Sequence, residues 1–206
     1  MIANSLIAFS FSIVLPLALC ISDFRYTSTA QADETSTRKT STPETTAADP
    51  KALQKLFSKL QKAIRTNDIT TAAALTKKLL PDDASLGKAV KNSEARKKIR
   101  QMHAQFANAS DEQLATLFAA DPTKTQINIH AATTEQLIAY EKDGTAFKEF
   151  PGGAQEAAEM VLQPKMTFYE IELVEPGNDA GMKYHLFFHD GQNWKMLGPV
   201  WRVLHE

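Results

Sequence analysis

The spacing of the apolar residues changes along this chain, and that change restricts the folds that the chain can adopt. In residues 51–122 they recur every three or four positions, which is typical of amphipathic helices. Toward the C-terminus they form short runs rich in aromatic and β-branched side chains, which is typical of strands. We therefore predict an α+β fold, in which N-terminal helices are followed by a C-terminal antiparallel β-meander that packs on a helix.

The N-terminus carries a long apolar run, from Leu6 to Ile21, and small residues follow it at Ala30 and Ala32. An apolar stretch ahead of an Ala-X-Ala site is typical of a secretory signal peptide. Residues 1–32 are therefore predicted to be removed by cleavage after Ala32. We expect an exported protein, either periplasmic or extracellular.

Two other interpretations of this segment stay open. A membrane anchor needs about 20 residues, whereas this run is shorter and contains Pro16. Lipidation at Cys20 is the second interpretation. Lipoprotein signals resemble a pattern in which a small residue directly precedes the cysteine, whereas here Leu19 occupies that position. After cleavage the chain would have no cysteine and no stable membrane span, so its stability must come from packing.

Residues 33–50 are rich in Thr and Ser and contain no large apolar residue. Such a segment cannot bury enough apolar surface to fold, so we expect a disordered linker. Residues 51–206 are then predicted to form a single α+β domain, with a helical part at 51–122 and a mixed part at 123–206. A domain of this size can bury one core.

Side chains that cap helices mark where several helices begin. Asp49 precedes Pro50, Asp68 stands before a second apolar pattern, and Ser110 with Gln113 forms a capping box. One apolar stripe is predicted to lie along a third helical segment, and its members are Leu86, Val90, Ile99, Met102, His103 and Phe106. Within that stripe His103 is interpreted as a hydrogen-bonded core histidine.

A short strand and two helices are predicted ahead of the meander. Apolar and polar residues alternate over 125–130, as they do in a strand. Thr133 with Gln136 caps a helix that is predicted to end at Gly144, and a second helix covers 154–162.

The C-terminal meander is predicted to have three strands, at 166–174, 182–189 and 192–197. Asp190 and Gly191 would form a two-residue hairpin loop between the last two strands. Gly198 and Pro199 interrupt the third strand, which is predicted to resume over 200–203 at a sheet edge or a bulge.

The short loop and the match of apolar sides predict which strand residues face each other. The predicted pairs are Tyr169 with Phe188, Ile171 with Leu186, Leu173 with Tyr184, His185 with Met196, Phe187 with Trp194 and His189 with Gln192. This register places Glu172 opposite His185 and Glu170 opposite Phe187. One sheet face is then apolar, and the other, the mixed face, carries Phe168, Glu170, Glu172, His185, Phe187, His189, Trp194 and Met196.

The mixed face contains the candidate site. A His beside a carboxylate on an aromatic-lined sheet is suited to general acid–base chemistry, so Glu172 and His185 are candidate catalytic residues. An ordinary cross-strand charge pair is the alternative interpretation. The candidate ligand-binding residues are Glu170, Glu172, His185, Phe187 and Trp194.

No cofactor or metal site is predicted. His185 and His189 would lie about 13 Å apart along a strand, which is too far for one ion. His130 and His205, at the ends of predicted elements, give no functional indication.

Charge is divided unevenly along the chain. Residues 51–105 contain 13 Lys or Arg against 4 Asp or Glu, whereas residues 106–206 contain 7 against 15. Basic residues that could meet an anionic surface are Lys88, Lys91, Arg96, Lys97, Lys98 and Arg100. Aromatic residues do not interleave them, so no nucleic-acid partner is expected. Packing of basic helices near an acidic sheet is the alternative interpretation.

The last eighty or so residues resemble the NTF2-like and cystatin-like folds, in which a curved sheet wraps a helix. The ending Asp190, Gly191, Trp194, Lys195 and Met196 is similar to the close of many exported bacterial domains of unknown function. The resemblance implies a concave pocket between sheet and helix, used for small-ligand binding, assembly or catalysis.

Three functional hypotheses follow. The first is a non-catalytic module that binds a small molecule or a protein partner through the mixed face. The second is a hydrolase- or isomerase-like enzyme that uses Glu172 and His185 as acid and base on a ligand held against Phe187 and Trp194. The third is adhesion to anionic surfaces through the basic helices, which predicts binding that is lost as salt is raised.

Overall fold

A four-stranded antiparallel sheet lies between two groups of helices in the computed structural model, which describes residues 48–205. The predicted signal peptide, Cys20 and nearly all of the predicted linker lie outside the described residues. The strands follow one another in the sheet in chain order, and they are β1 (Gln126–Thr133), β2 (Thr167–Val174), β3 (Met182–His189) and β4 (Trp194–Met196). Helices in the N-terminal part and an antiparallel sheet toward the C-terminus confirm the predicted α+β class.

Within the described residues, five helices precede the sheet and three lie between its first two strands. The first five are α1 (Pro50–Arg65), α2 (Ile69–Leu79), α3 (Asp83–Ala89), α4 (Ser93–Ala107) and α5 (Asp111–Thr116). The next three are α6 (Thr134–Ala139), α7 (Thr145–Glu149) and α8 (Gly152–Met160). A 3₁₀ helix (Val200–Val203) follows β4.

Side-chain caps begin the helices where the sequence predicts them. The carboxylates of Asp49 and Asp68 accept backbone N–H groups at the starts of α1 and α2, at 2.9 and 3.0 Å. At α5, Ser110 and Gln113 exchange two hydrogen bonds of 2.8 and 3.3 Å. Each cap satisfies a backbone donor that the first helical turn leaves without a partner.

The apolar stripe over 86–106 does not form one helical segment, so that prediction is wrong. Val90 adopts an extended conformation and pairs with Leu162 in an isolated bridge between α3 and α4. The Asn92 side chain then accepts the N–H of Ala95 at 2.6 Å and begins α4 as a separate helix. A tertiary contact and a new cap therefore divide the stripe.

Two predicted element boundaries are also wrong. The helix capped by Thr133 ends at Ala139 because Tyr140 adopts a left-handed conformation with φ of 43°, and Gly144 instead precedes α7. Residues 200–203 form the 3₁₀ helix and not a strand. Gly198, with φ of 76°, turns the chain away from β4 before it.

The sheet has an apolar core on each side. The first core joins α1, α2 and α5 to one face, and its strand residues include Tyr169, Ile171, Leu173, Phe187, Trp194 and Met196. The second core joins α3, α4, α6 and α8 to the other face, and its strand residues include Phe168, Leu186, Phe188 and Ala132. The sheet is thus covered by helices on both faces.

The predicted register between β2 and β3 is wrong, and a β-bulge also lies between these two strands. Tyr169 pairs with Phe187 and Ile171 pairs with Tyr184, so β3 has one more residue than β2 in this interval. Leu186 lies in the bulge with φ of 55°, in the left-handed region. A bulge turns the side chains beyond it to the opposite face, which sends Phe187 into the first core.

The hairpin between β3 and β4 also differs from the prediction. His189 pairs with Trp194 and Phe187 with Met196, so the loop has four residues and not two. The Asp190 carboxylate accepts the N–H groups of both Gln192 and Asn193 at 2.8 Å. This local hydrogen bonding favours the longer loop.

Candidate functional site

The structure divides the predicted ligand-binding residues between the two faces of the sheet. Phe187 and Trp194 are buried in the first core, where Trp194 packs edge-on against Tyr169 with ring centroids 5.0 Å apart. Glu170 and Glu172 alternate with those core residues along β2 and therefore face the second core. The mixed face does not exist as one surface, because the bulge turns Phe187 away from the two carboxylates.

His185 pairs with Glu170 and not with Glu172, so the predicted Glu172–His185 pair is wrong. The Nδ1 atom of His185 lies 2.6 Å from Oε2 of Glu170, whose side chain is fully buried. Burial raises the pKa of Glu170, and the hydrogen bond to His185 opposes that shift. Glu172 lies opposite Lys183 in the sheet.

Glu172 belongs to a second polar cluster, which we call the β1–β2 cluster and which consists of His130, Glu149, Glu172 and Lys183. Nε2 of His130 lies 3.4 Å from a carboxylate oxygen of Glu149 and 3.4 Å from one of Glu172. Nζ of Lys183 donates to the same Glu149 carboxylate oxygen at 2.9 Å and to the Glu149 carbonyl at 3.1 Å. Three strands and α7 thus bring an imidazole, two carboxylates and an ammonium together.

Sequence reasoning missed His130 and Glu149 as members of a site. His130 pairs directly with Glu170 across β1 and β2, which places its ring on the same face as Glu172. Glu149 is the last residue of α7, a helix that was not predicted. The alternation over 125–130 could indicate the face of His130, but only the pairing of β1 with β2 identifies its neighbours.

A groove of about 500 Å³ lies between α4, β3 and the 3₁₀ helix, and we call it the α4 groove. Its apolar wall includes Met102, Phe106, Leu117 and Met196, and its polar lining includes His103, Lys183, Tyr184, His185 and Arg202. Of the predicted ligand-binding residues, His185 lines this groove, and Glu170 lies behind it as its hydrogen-bond partner.

Two polar side chains of the α4 groove are neutral. Nε2 of His103 donates to the carbonyl of Leu197 at 3.0 Å, which confirms the prediction of a hydrogen-bonded core histidine. Burial lowers the pKa of His103, so its Nδ1 is a bare acceptor at neutral pH. Burial also raises the pKa of Tyr184 to about 12, which keeps its hydroxyl protonated.

Four of the six basic residues in the predicted anionic-surface patch contact oxygen atoms of the protein. Lys88, Lys91 and Arg96 donate to backbone carbonyls, and Arg100 pairs with Asp83 at 2.5 Å. Backbone carbonyls carry no net charge, so among the described residues only Arg100 of this patch pairs with a carboxylate. Packing of the basic helices near an acidic sheet stays a prediction. Binding to anionic surfaces stays a prediction, with salt-sensitive retention on heparin as its test.

Comparisons with known proteins do not identify a relative. No family model matches the chain, and no match was found among the curated proteins or the solved structures. The resemblance to NTF2-like and cystatin-like folds therefore stays a prediction. In the part of the chain from 48 to 205, no helix has the length and apolar character needed to cross a membrane.

Proposed function

We propose that this protein is a binding module for a small amphipathic anion, which is held in the α4 groove. The observation that carries the proposal is that Arg202, an exposed arginine, lines the groove together with half-buried apolar side chains. Within residues 48–205 its guanidinium makes no ion pair. A volume of about 500 Å³ suits a small ligand, since ligand sites commonly measure about 300–1,000 Å³.

The lining of the groove indicates how such a ligand would lie. Met102 and Phe106, both half-buried on α4, offer an apolar surface to its body. Arg202 offers a charged donor to a carboxylate or sulfonate at its other end.

The dye ANS, an anilinonaphthalene sulfonate, is a suitable probe because it combines an aromatic body with one anionic group. We expect the folded protein to bind ANS with saturation at one site, and we expect Arg202→Gln to weaken that binding about tenfold. Fluorescence titration of the two proteins measures the change.

Arg100→Gln is the matched control, because Arg100 is also a partly exposed arginine but pairs with Asp83 and does not line the groove. It should leave ANS affinity unchanged. Equal ANS affinity in the wild type and in Arg202→Gln, or an equal loss in Arg100→Gln, would contradict the proposal.

General base catalysis is a second candidate function, and the Glu170–His185 pair supports it. A buried carboxylate that holds Nδ1 of a groove histidine at 2.6 Å orients the ring as a base requires. Nε2 of His185 is the ring nitrogen that Glu170 does not contact, and it would act as the base. This candidate predicts that the wild type accelerates hydrolysis of p-nitrophenyl acetate and that His185→Gln abolishes the acceleration while ANS binding persists.

A further inference from the structure

The β1–β2 cluster contains three potential metal-ligand atoms close together, and the function proposed for the α4 groove does not involve them. Its three potential ligand atoms, Nε2 of His130 and one carboxylate oxygen each from Glu149 and Glu172, all lie within 4.8 Å of one another. The two separations from Nε2 are both 3.4 Å. Tetrahedral zinc with N and O ligands at about 2.0–2.2 Å separates its ligand atoms by about 3.3–3.5 Å. Two of the three separations therefore match those between the ligands of tetrahedral zinc, and the third is within 4.8 Å.

Glu172 provides independent evidence for a ligand in this cluster. Its side chain is only 7% exposed, yet within residues 48–205 its carboxylate accepts no hydrogen bond. The buried Nε2 atom of His130 likewise has no hydrogen-bond partner in the described part of the chain. Burial of an ionised carboxylate is costly unless a cation or several donors compensate it.

We propose that His130, Glu149 and Glu172 bind a divalent transition-metal ion. Two carboxylates offset the charge of the ion, and three protein ligands leave a coordination position for water. The imidazole nitrogen favours zinc or a similar metal over calcium and magnesium, which prefer oxygen ligands alone.

Lys183 is the competitor of the metal at this site. Its ammonium contacts the Glu149 oxygen that would ligate the ion, at 2.9 Å. When the ion binds, Lys183 must leave that oxygen, although it can keep its hydrogen bond to the Glu149 carbonyl. Lys183 also lines the α4 groove, so metal binding would free a cation at the edge of the groove.

Calorimetric titration of the full chain with zinc chloride tests the proposal. A Cys20→Ser background removes the chain's single thiol as a ligand. We expect one zinc ion per chain, and Glu172→Gln should weaken binding at least about tenfold. Lys183→Met should strengthen binding several-fold, because the competing ammonium is gone.

Glu156→Gln is the matched control. Glu156 forms an exposed pair with His205 at 2.5 Å, so it offers a His–Glu pair without a third ligand, and its loss should not change zinc affinity. Circular dichroism is used to check that the Glu172→Gln variant is folded. Glu149→Gln, at a position where the carboxylate is partly exposed, gives a second variant with the same expected loss.

Several outcomes would overturn the proposal. They are a folded wild type that binds no zinc, unchanged affinity in both Glu172→Gln and Glu149→Gln, or an equal loss in the Glu156→Gln control. Calcium binding as tight as zinc binding would overturn the assignment to a transition metal.

Discussion

Glu170 and Glu172 are two positions apart on β2 and face the same side of the sheet, but their surroundings differ. Glu170 is hydrogen-bonded to His185 at 2.6 Å. Glu172 has Nε2 of His130 at 3.4 Å as its charged neighbour. The neighbouring strands cause this difference. His130 on β1 lies opposite Glu170 but places its Nε2 beside Glu172, and β3 brings His185 to Glu170. At the scale of single residues, the chemistry of a side chain is therefore set by partners that are distant in sequence.

His103 leads to a prediction about pH. Burial lowers its pKa in the folded protein, whereas the unfolded chain protonates it near the ordinary value of about 6.5. As pH falls from about 7 through this value, the unfolded state gains a proton that the folded state resists, so stability decreases. We expect the free energy of unfolding to fall more in the wild type than in His103→Gln between about pH 7.5 and pH 5.5.

Urea denaturation at the two pH values measures this difference. His185, Lys183 and Arg202 line the same groove, and they are common to both proteins, so the comparison isolates His103. An equal loss of stability in the two proteins would show that His103 does not carry the pH dependence.

At the scale of secondary-structure elements, the bulge in β3 has the largest effect on the positions of the candidate site residues. It turns Phe187 into the first core and places His185 beside Glu170. Leu186, at the bulge, is fully buried in the second core, so a left-handed backbone conformation is combined with an apolar side chain. An L-residue in this conformation costs about 1–2 kcal/mol, which the burial of Leu186 must offset.

Substitution of Leu186 separates these two contributions. Both Leu186→Ala and Leu186→Gly should lower the free energy of unfolding by about 2–5 kcal/mol, because each removes the buried side chain. At an ordinary strand position Gly is less stable than Ala by about 0.5–1 kcal/mol, but at Leu186 we expect Gly to equal or exceed Ala. Urea denaturation gives the free energies of unfolding.

Leu173 on β2 is the matched control for this comparison. It is also fully buried, but its φ is not positive. Gly should therefore be the less stable substitution there. If Gly is less stable than Ala at both positions, Leu186 does not occupy the left-handed conformation.

At the scale of the whole molecule, contacts join the basic and acidic parts of the chain. Lys77 on α2 pairs with Asp111 on α5 at 2.8 Å, and Lys91 donates to the carbonyl of Glu159 at 2.8 Å. Residues 51–105 and 106–206 carry net charges of opposite sign. Attraction between the two parts should therefore stabilise the folded chain where salt does not screen it.

We expect the free energy of unfolding to decrease by about 1 kcal/mol as ionic strength rises from about 0.01 M to about 0.15 M. Over this range the screening length shortens from about 30 Å to about 8 Å. Urea denaturation in sodium chloride measures the effect. Stability that rises with salt would indicate that repulsion within each part outweighs attraction between them.

Local features of the sequence determined the fold class and many of its elements. The caps at Asp49, Asp68 and Ser110 predicted the starts of three helices, because a cap depends on residues within one helical turn. The bounds of β3 agree with the predicted strand at 182–189. Such signals act over a few residues, so they can be recognised without knowledge of the rest of the fold.

Only the tertiary structure decided which of these residues meet. Sequence reasoning singled out Glu170, Glu172 and His185. The partners of these side chains depend on a bulge in β3 and on the four-residue loop between β3 and β4. His130 on β1 and Glu149 on α7 lie close to Glu172 in the folded protein, but no local sequence pattern predicts this proximity. A shift of one residue in register moves side chains to the other face of a sheet. For this reason sequence reasoning singled out Glu172 and His185, whereas it missed His130, Glu149 and Arg202 and did not predict which side chains meet.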